Sequence, residues 1–152
     1  MKNRVAVLHG VNLGALDRRP AAVYGGLSFT QLEQLIERQA RELGLGVHLF
    51  QTDFEGEFVQ ELHKTPDYAD GLILNPGAWT HYSYAIRDAL EIAGLPAVEV
   101  HLSDIESREE WRRHSVIADL VNARVHGKGA DGYQDALALL ARELGVEAPP
   151  AA

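Results

Sequence analysis

Glu99, His101 and Ser103 stand two apart in the run V-E-V-H-L-S. On an extended chain they share one face, while Val98, Val100 and Leu102 take the other. A carboxylate beside an imidazole fixes its tautomer and raises its proton affinity, which suits His101 to acid–base work. A single histidine on a strand is ordinarily structural. A Glu-His-Ser row closing an otherwise apolar strand points more readily to a site. Downstream, Arg108 and Arg112 lie four apart and share a face if that stretch is helical.

Two other segments carry polar groups in unusual company. N-P-G-A-W-T-H, residues 75–81, opens with a turn signal. Thr80 suits a helix cap, and Asn75 either satisfies backbone groups or joins His81 at the mouth of a strand. H-G-V-N-L-G-A-L-D-R-R-P-A-A-V-Y-G-G, residues 9–26, holds Asn12, the pair Arg18 and Arg19, and Tyr24 before two glycines. A connection this long is either a mobile surface loop or a lid. Its glycines match neither the dinucleotide nor the P-loop spacing.

Several chemistries are excluded. With no cysteine there is no disulfide, no zinc thiolate and no cysteine nucleophile. There is no H-E-x-x-H, and His48, His63, His114 and His126 lack ligand spacing, so no metal is expected. No G-x-S-x-G elbow is present. A phosphoryl receiver needs an acidic pair after its first strand, where this chain has His9 to Asn12. A flavin site needs a hydroxyl-rich loop there. Lys+Arg total 14 against 22 Asp+Glu, a net charge of −8, which opposes nucleic acid. No apolar run approaches the ~18–20 residues of a membrane span. Val5–Leu8 is too short for a signal-peptide core, so a soluble, cytoplasmic protein is expected.

The elements that must position these groups alternate. Strand patterns occupy Arg4–Leu8, Val47–Gln51, Gly71–Leu74, Ala97–Val100 and, more weakly, Leu120–Val125. Between them, helical spacing runs from Ser28, an N-cap with Gln31 as its capping-box partner, to Gly44. Further helices are predicted over Glu55–Lys64, Thr80–Ala93, a short charged stretch near Arg108–Arg113, and Gly132–Leu144. The fifth strand places Asn122, Arg124 and His126 on one face, open to solvent or a partner. This order predicts an α/β, flavodoxin-like three-layer fold with a five-stranded parallel sheet. Ligands then bind beyond the carboxyl ends of the strands, where all three polar segments fall. Residues 1–147 read as one catalytic domain, and A-P-P-A-A (148–152) as a patternless tail.

Taken together, the segments resemble the type II 3-dehydroquinate dehydratases. The resemblance runs from about Val5 to Leu144. Its pieces are H-G-V-N-L, R-R-P-A-A-V-Y-G, E-G-E, N-P-G-A-W-T-H, A-I-R-D-A-L, V-E-V-H-L-S, R-E-E-W-R-R-H-S and G-Y. It implies cofactor-free dehydration of 3-dehydroquinate to 3-dehydroshikimate in the shikimate pathway, through an enolate. The type I enzymes use a Schiff-base lysine, but Lys2, Lys64 and Lys128 all lie outside the three segments.

By the same resemblance, Tyr24 is the base, with Arg19 and Arg108 supplying the cations that favour a phenolate. Asn12 stabilises the enolate oxygen through an ordered water. His101 donates a proton to the departing hydroxyl, with Glu99 orienting it. Leu102 and Ser103 hold the carboxylate, and Asn75, His81 and Arg112 the ring hydroxyls. Asp88 reaches a neighbouring subunit's site, which implies a homo-oligomer, typically a dodecamer built of trimers. The alternatives are a paralogue acting on a related cyclic hydroxy-acid and a silent domain that binds a small carboxylate.

Some positions depart from the family pattern. His9 and Val11 stand where N-G-P-N-L is usual, and L-D-R-R-P replaces L-G-x-R-E-P, moving Pro20 one place earlier. Trp79 replaces a small residue or tyrosine. The fifth strand, V-N-A-R-V-H-G-K-G, is more polar than the family's apolar run.

Overall fold

Strand β1 (Arg4–His9) runs through the middle of the sheet, and every residue from Val5 to His9 is buried. The computed structural model describes residues 2–150, so Met1, Ala151 and Ala152, the last two in the predicted tail, lie outside the described residues. Alongside β1 run β2 (Gly46–Gln51), β3 (Gly71–Asn75), β4 (Ala97–Val100) and β5 (Ala123–Val125). The five strands are parallel in the order β2-β1-β3-β4-β5. This is the flavodoxin-like arrangement, and its strand order reverses between β1 and β3.

Period-2 alternation divides the core into two layers. Val5, Val7, Ile73, Val98 and Val100 meet helices α2 (Phe29–Glu42) and α5 (Asp131–Leu144) on one face. Ala6, Leu8, Leu72, Leu74 and Ala97 meet α3 (Glu55–Tyr68) and α4 (Tyr84–Ala93) on the other. The remaining helix, α1 (Ala21–Tyr24), is a single turn in the loop after β1. The Ser28–Gln31 capping box forms in full. No helix among the described residues is long and apolar enough to cross a membrane.

Four elements differ from expectation. Helix α3 continues past Lys64 and through Pro66 to Tyr68. Proline removes the N–H that would reach the Leu62 carbonyl. Thr65 Oγ1 donates to that carbonyl instead, at 2.7 Å.

The span Thr80–Ala93 is not one helix. Gly77–His81 forms a 3-10 turn, and Ser83, not Thr80, caps α4 by accepting from Ile86 N at 3.1 Å. Residues 80 and 81 are tied elsewhere: the Thr80 carbonyl accepts from Val116 N, and His81 Nδ1 donates to the His114 carbonyl.

The stretch near Arg108–Arg113 forms two 3-10 turns, Ile105–Ser107 and Glu110–Arg112, with Arg108 extended between them. Arg108 and Arg112 therefore do not share one helical face. Strand β5 is three residues long and begins after Asn122, whose Oδ1 accepts from Ala97 N at 3.0 Å. Ala148–Pro150 form neither helix nor strand.

Candidate active site

The loops after β1 and β3 lock together at the switch in strand order. Gly10 N donates to the Asn75 carbonyl at 2.8 Å. A Cβ on Gly10 would collide with the Pro76 backbone, and one on Gly77 (φ +65°) would lie 2.6 Å from the Val11 carbonyl. Asn12 is the one non-glycine residue at positive φ (69°) among the described residues. This conformation is sparsely populated and is held by the Asp53 carboxylate, which accepts from Asn12 N at 2.9 Å.

A cleft of about 120 Å³ opens above this junction. It suits a single small ring rather than a dinucleotide. Asn12, Arg19, Tyr24, Asn75, His81, His101, Leu102, Ser103, Arg108 and Arg112 all line it. A wider depression, about 490 Å³ between β5 and α5, holds none of them.

The lid delivers Tyr24. After the 3-10 turn Leu13–Arg18, Pro20 starts α1, and its carbonyl accepts from Val23 N and Tyr24 N. Gly25 and Gly26 leave at positive φ. The Tyr24 hydroxyl oxygen receives Arg19 Nη2 and, at 2.8 Å, Arg108 Nη1. The Arg19 guanidinium also lies 4.2 Å from the Tyr24 ring centroid. Two charged donors on one phenol oxygen stabilise negative charge there.

Across the cleft, His101 Nε2 donates to Glu99 Oε2 at 2.6 Å, leaving Nδ1 uncommitted to the carboxylate. Glu99 is fully buried. Burial alone would push its carboxyl up. Hydrogen bonds from His101 and Ser115 and the charge of Arg124 outweigh that, and the carboxyl sits below its ordinary range.

Burial also holds the His81 imidazole below its ordinary value, with the charges of His101 and Arg112 adding to it. A neutral ring that donates through Nδ1 to the His114 carbonyl, at 2.7 Å, keeps Nε2 as an acceptor. Arg108 Nη1 also reaches Ser103 Oγ at 3.3 Å. The backbone N–H groups of Leu102 and Ser103 find no acceptor among the described residues.

Asn75 lies on the cleft floor with its amide already engaged. Nδ2 donates to the Tyr133 hydroxyl at 3.1 Å, and Oδ1 accepts from Gly77 N at 3.3 Å. Burial lowers His9 to about 3, so its ring is neutral. The Tyr133 hydroxyl, 2.8 Å away, then donates to His9 Nε2, a tautomer assigned from this network.

Two expected site residues do not line the cleft: Glu99 is buried behind His101, and Asp88 is exposed on α4. No group of three metal-ligating side chains occurs among the described residues.

Sequence reasoning missed four contributors. Ser115 Oγ donates to Glu99 Oε1 at 2.7 Å, and Arg124 Nε to Glu99 Oε2 at 3.2 Å. Arg124 was expected to face solvent or a partner. It turns inward because the β4–β5 register sets it directly beside Glu99. His9 and Tyr133 support Asn75 from below. The alternation of the fifth strand marked Arg124, but only a known register could have supplied its partner.

A family model described as dehydroquinase class II matches residues 3–141 of this chain. The 3-dehydroquinate dehydratase of Pelotomaculum thermopropionicum is 44% identical over 143 residues, 94% of this chain and 99% of the relative. That of Thermotoga maritima is 46% identical over 141 residues, 93% and 96% of the two chains. The crystal structure of type II dehydroquinase from Propionibacterium acnes gives a TM-score of 0.88 at 41% identity, covering 93% of this chain and 98% of that one.

Proposed function

The chain belongs to the class II dehydroquinase family, and from that premise we propose that Tyr24 is the base and His101 the acid of its reaction. That reaction is the dehydration of 3-dehydroquinate to 3-dehydroshikimate, a hydro-lyase step of the shikimate pathway. One observation carries the assignment. The Tyr24 hydroxyl lies between two guanidinium groups on one side of the cleft, and a carboxylate-paired imidazole faces it from the other.

Tyrosine near its ordinary pKa of ~10 is about one part in a thousand ionised at neutral pH. The Arg19 and Arg108 donors favour the phenolate that removes the proton next to the ketone. Closing α1 over the cleft assembles this base and excludes water in one movement. Negative charge then develops on the ketone oxygen. Asn12, whose backbone N–H is held by Asp53, stabilises it through a water. His101, oriented by Glu99, donates to the departing hydroxyl. The free N–H groups of Leu102 and Ser103 and the Ser103 hydroxyl suit the substrate carboxylate. His81 Nε2 accepts from a ring hydroxyl, and Asn75 and Arg112 complete that subsite. No cofactor enters this scheme.

Residues 1–147 act as one catalytic unit in this reading. The protein works in the cytoplasm as a homo-oligomer, a dodecamer of trimers, in which Asp88 reaches the site of a neighbouring copy. The silent-domain and paralogue readings have no observation in their favour.

The test is a turnover assay with 3-dehydroquinate, following the ultraviolet absorbance of the conjugated enone beside a Tyr24→Phe control. The wild type forms product. The variant loses a factor of about 10²–10⁴ in kcat, the range of a positioned base, while still binding ligand. Near-wild-type turnover in the variant would remove Tyr24 as base.

A further inference from the structure

The Glu99–His101 pair has a third member that the proposed mechanism does not use. Strands β4 and β5 are parallel and in register at Glu99 and Arg124, so the two side chains share a face of the sheet. Arg124 Nε donates to Glu99 Oε2 at 3.2 Å, the same oxygen that accepts from His101 Nε2 at 2.6 Å. Ser115 takes the other oxygen. Arg124 Nη2 is buried without a partner among the described residues. An unpartnered buried donor is costly, so this guanidinium is not placed to satisfy itself. Glu99 is what holds it.

We propose that Arg124 is a positioning residue that shares Glu99 with His101 and sets the pH to which the pair keeps its proton. Arg124 is permanently charged and cancels the carboxylate's charge. A protonated His101 therefore faces a nearly neutral Glu99–Arg124 unit rather than a bare anion. Without that charge, the buried carboxylate would hold the imidazole's proton more tightly.

The other groups around the pair are cationic, neutral or self-paired. His81 stacks 6.3 Å from His101 between ring centroids. Arg112 and Arg108 line the cleft from the 3-10 segment. On the outer side of the segment carrying Ser115, Arg87 is paired with Asp119. None of these replaces the charge of Arg124 on Glu99.

This inference rests on the acid role given to His101, and its test separates the two. In Arg124→Gln, which keeps a donor and removes the charge, the alkaline limb of the kcat/KM profile moves up by about one pH unit, while KM changes little. In Arg124→Lys the limb stays where the wild type has it. The His101 ring signal in NMR spectra, identified by its loss in His101→Gln, titrates with the same displacement in the absence of turnover. A displaced signal in a protein that does not turn over would sink the proposed function and leave the coupling standing. An unmoved limb and signal in Arg124→Gln would overturn the coupling, and equal displacement in both variants would overturn the role of charge.

Discussion

His101 has one ring nitrogen committed to Glu99 and one left uncommitted to it, so its removal has a specific consequence. In the proposed mechanism, His101→Ala slows hydroxyl departure but leaves proton abstraction by Tyr24 in place. In deuterated water the variant still exchanges the substrate proton next to the ketone while product formation falls. Loss of exchange would mean that His101 serves the first step instead. His9 gives a second test at this scale. Its ring titrates near 6.5 when unfolded and at about 3 when folded, because burial penalises the charged form. Between those values the unfolded chain binds the extra proton. The stability is therefore complete above pH 6.5 and falls as pH drops toward 3, by up to about 1.4 kcal/mol per unit. His9→Asn removes the titrating ring and with it this dependence. Denaturant melts at pH 7.5 and 5, at one protein concentration, show a loss about 2 kcal/mol smaller in the variant.

Helix α3 shows how one hydroxyl lets an element outrun its own breaker. Thr65 is fully buried, and its Oγ1 serves the carbonyl that Pro66 leaves without an N–H. Thr65→Val keeps the shape and strands the Leu62 carbonyl, at a cost of about 1–3 kcal/mol. Thermal or urea unfolding reads that cost. The turnover number stays unchanged, because α3 lines no part of the cleft. Local periodicity could not reveal this compensation, since the proline alone argues for a stop after Lys64. The same limit applies to Thr80–Ala93, where a plausible cap was overruled by bonds of the Thr80 carbonyl to Val116 N and of the His81 ring to the His114 carbonyl. Helix α2 was legible from end to end because its cap, its apolar stripe and Gly44 are all local signals.

Helix α4 exposes large side chains among the described residues. Tyr84, Asp88 and Ile92 stand four apart on α4, with Tyr84 65% and Ile92 68% exposed. Large apolar side chains in a row on a surface helix suit an interface between copies. In the proposed oligomer, with a site completed by a neighbour's Asp88, Ile92→Glu lowers the mass seen by light scattering and reduces turnover with it. A fully active monomer would remove Asp88 from the site.

The sequence by itself determined the alternation of strands and helices and the two-faced core, because those properties depend on periods of two and 3.6 and on turn chemistry, each confined to a few neighbouring residues. The cleft residues were marked by the resemblance of their motifs to those of a known family. Only the tertiary structure decided that Arg124 lies against Glu99 and that Ser115 takes the other oxygen of the same carboxylate. Those contacts follow from strand order and register, which are fixed by burying both faces of the sheet at once. A buried carboxylate such as Glu99 then holds whichever charged donors that packing brings within reach.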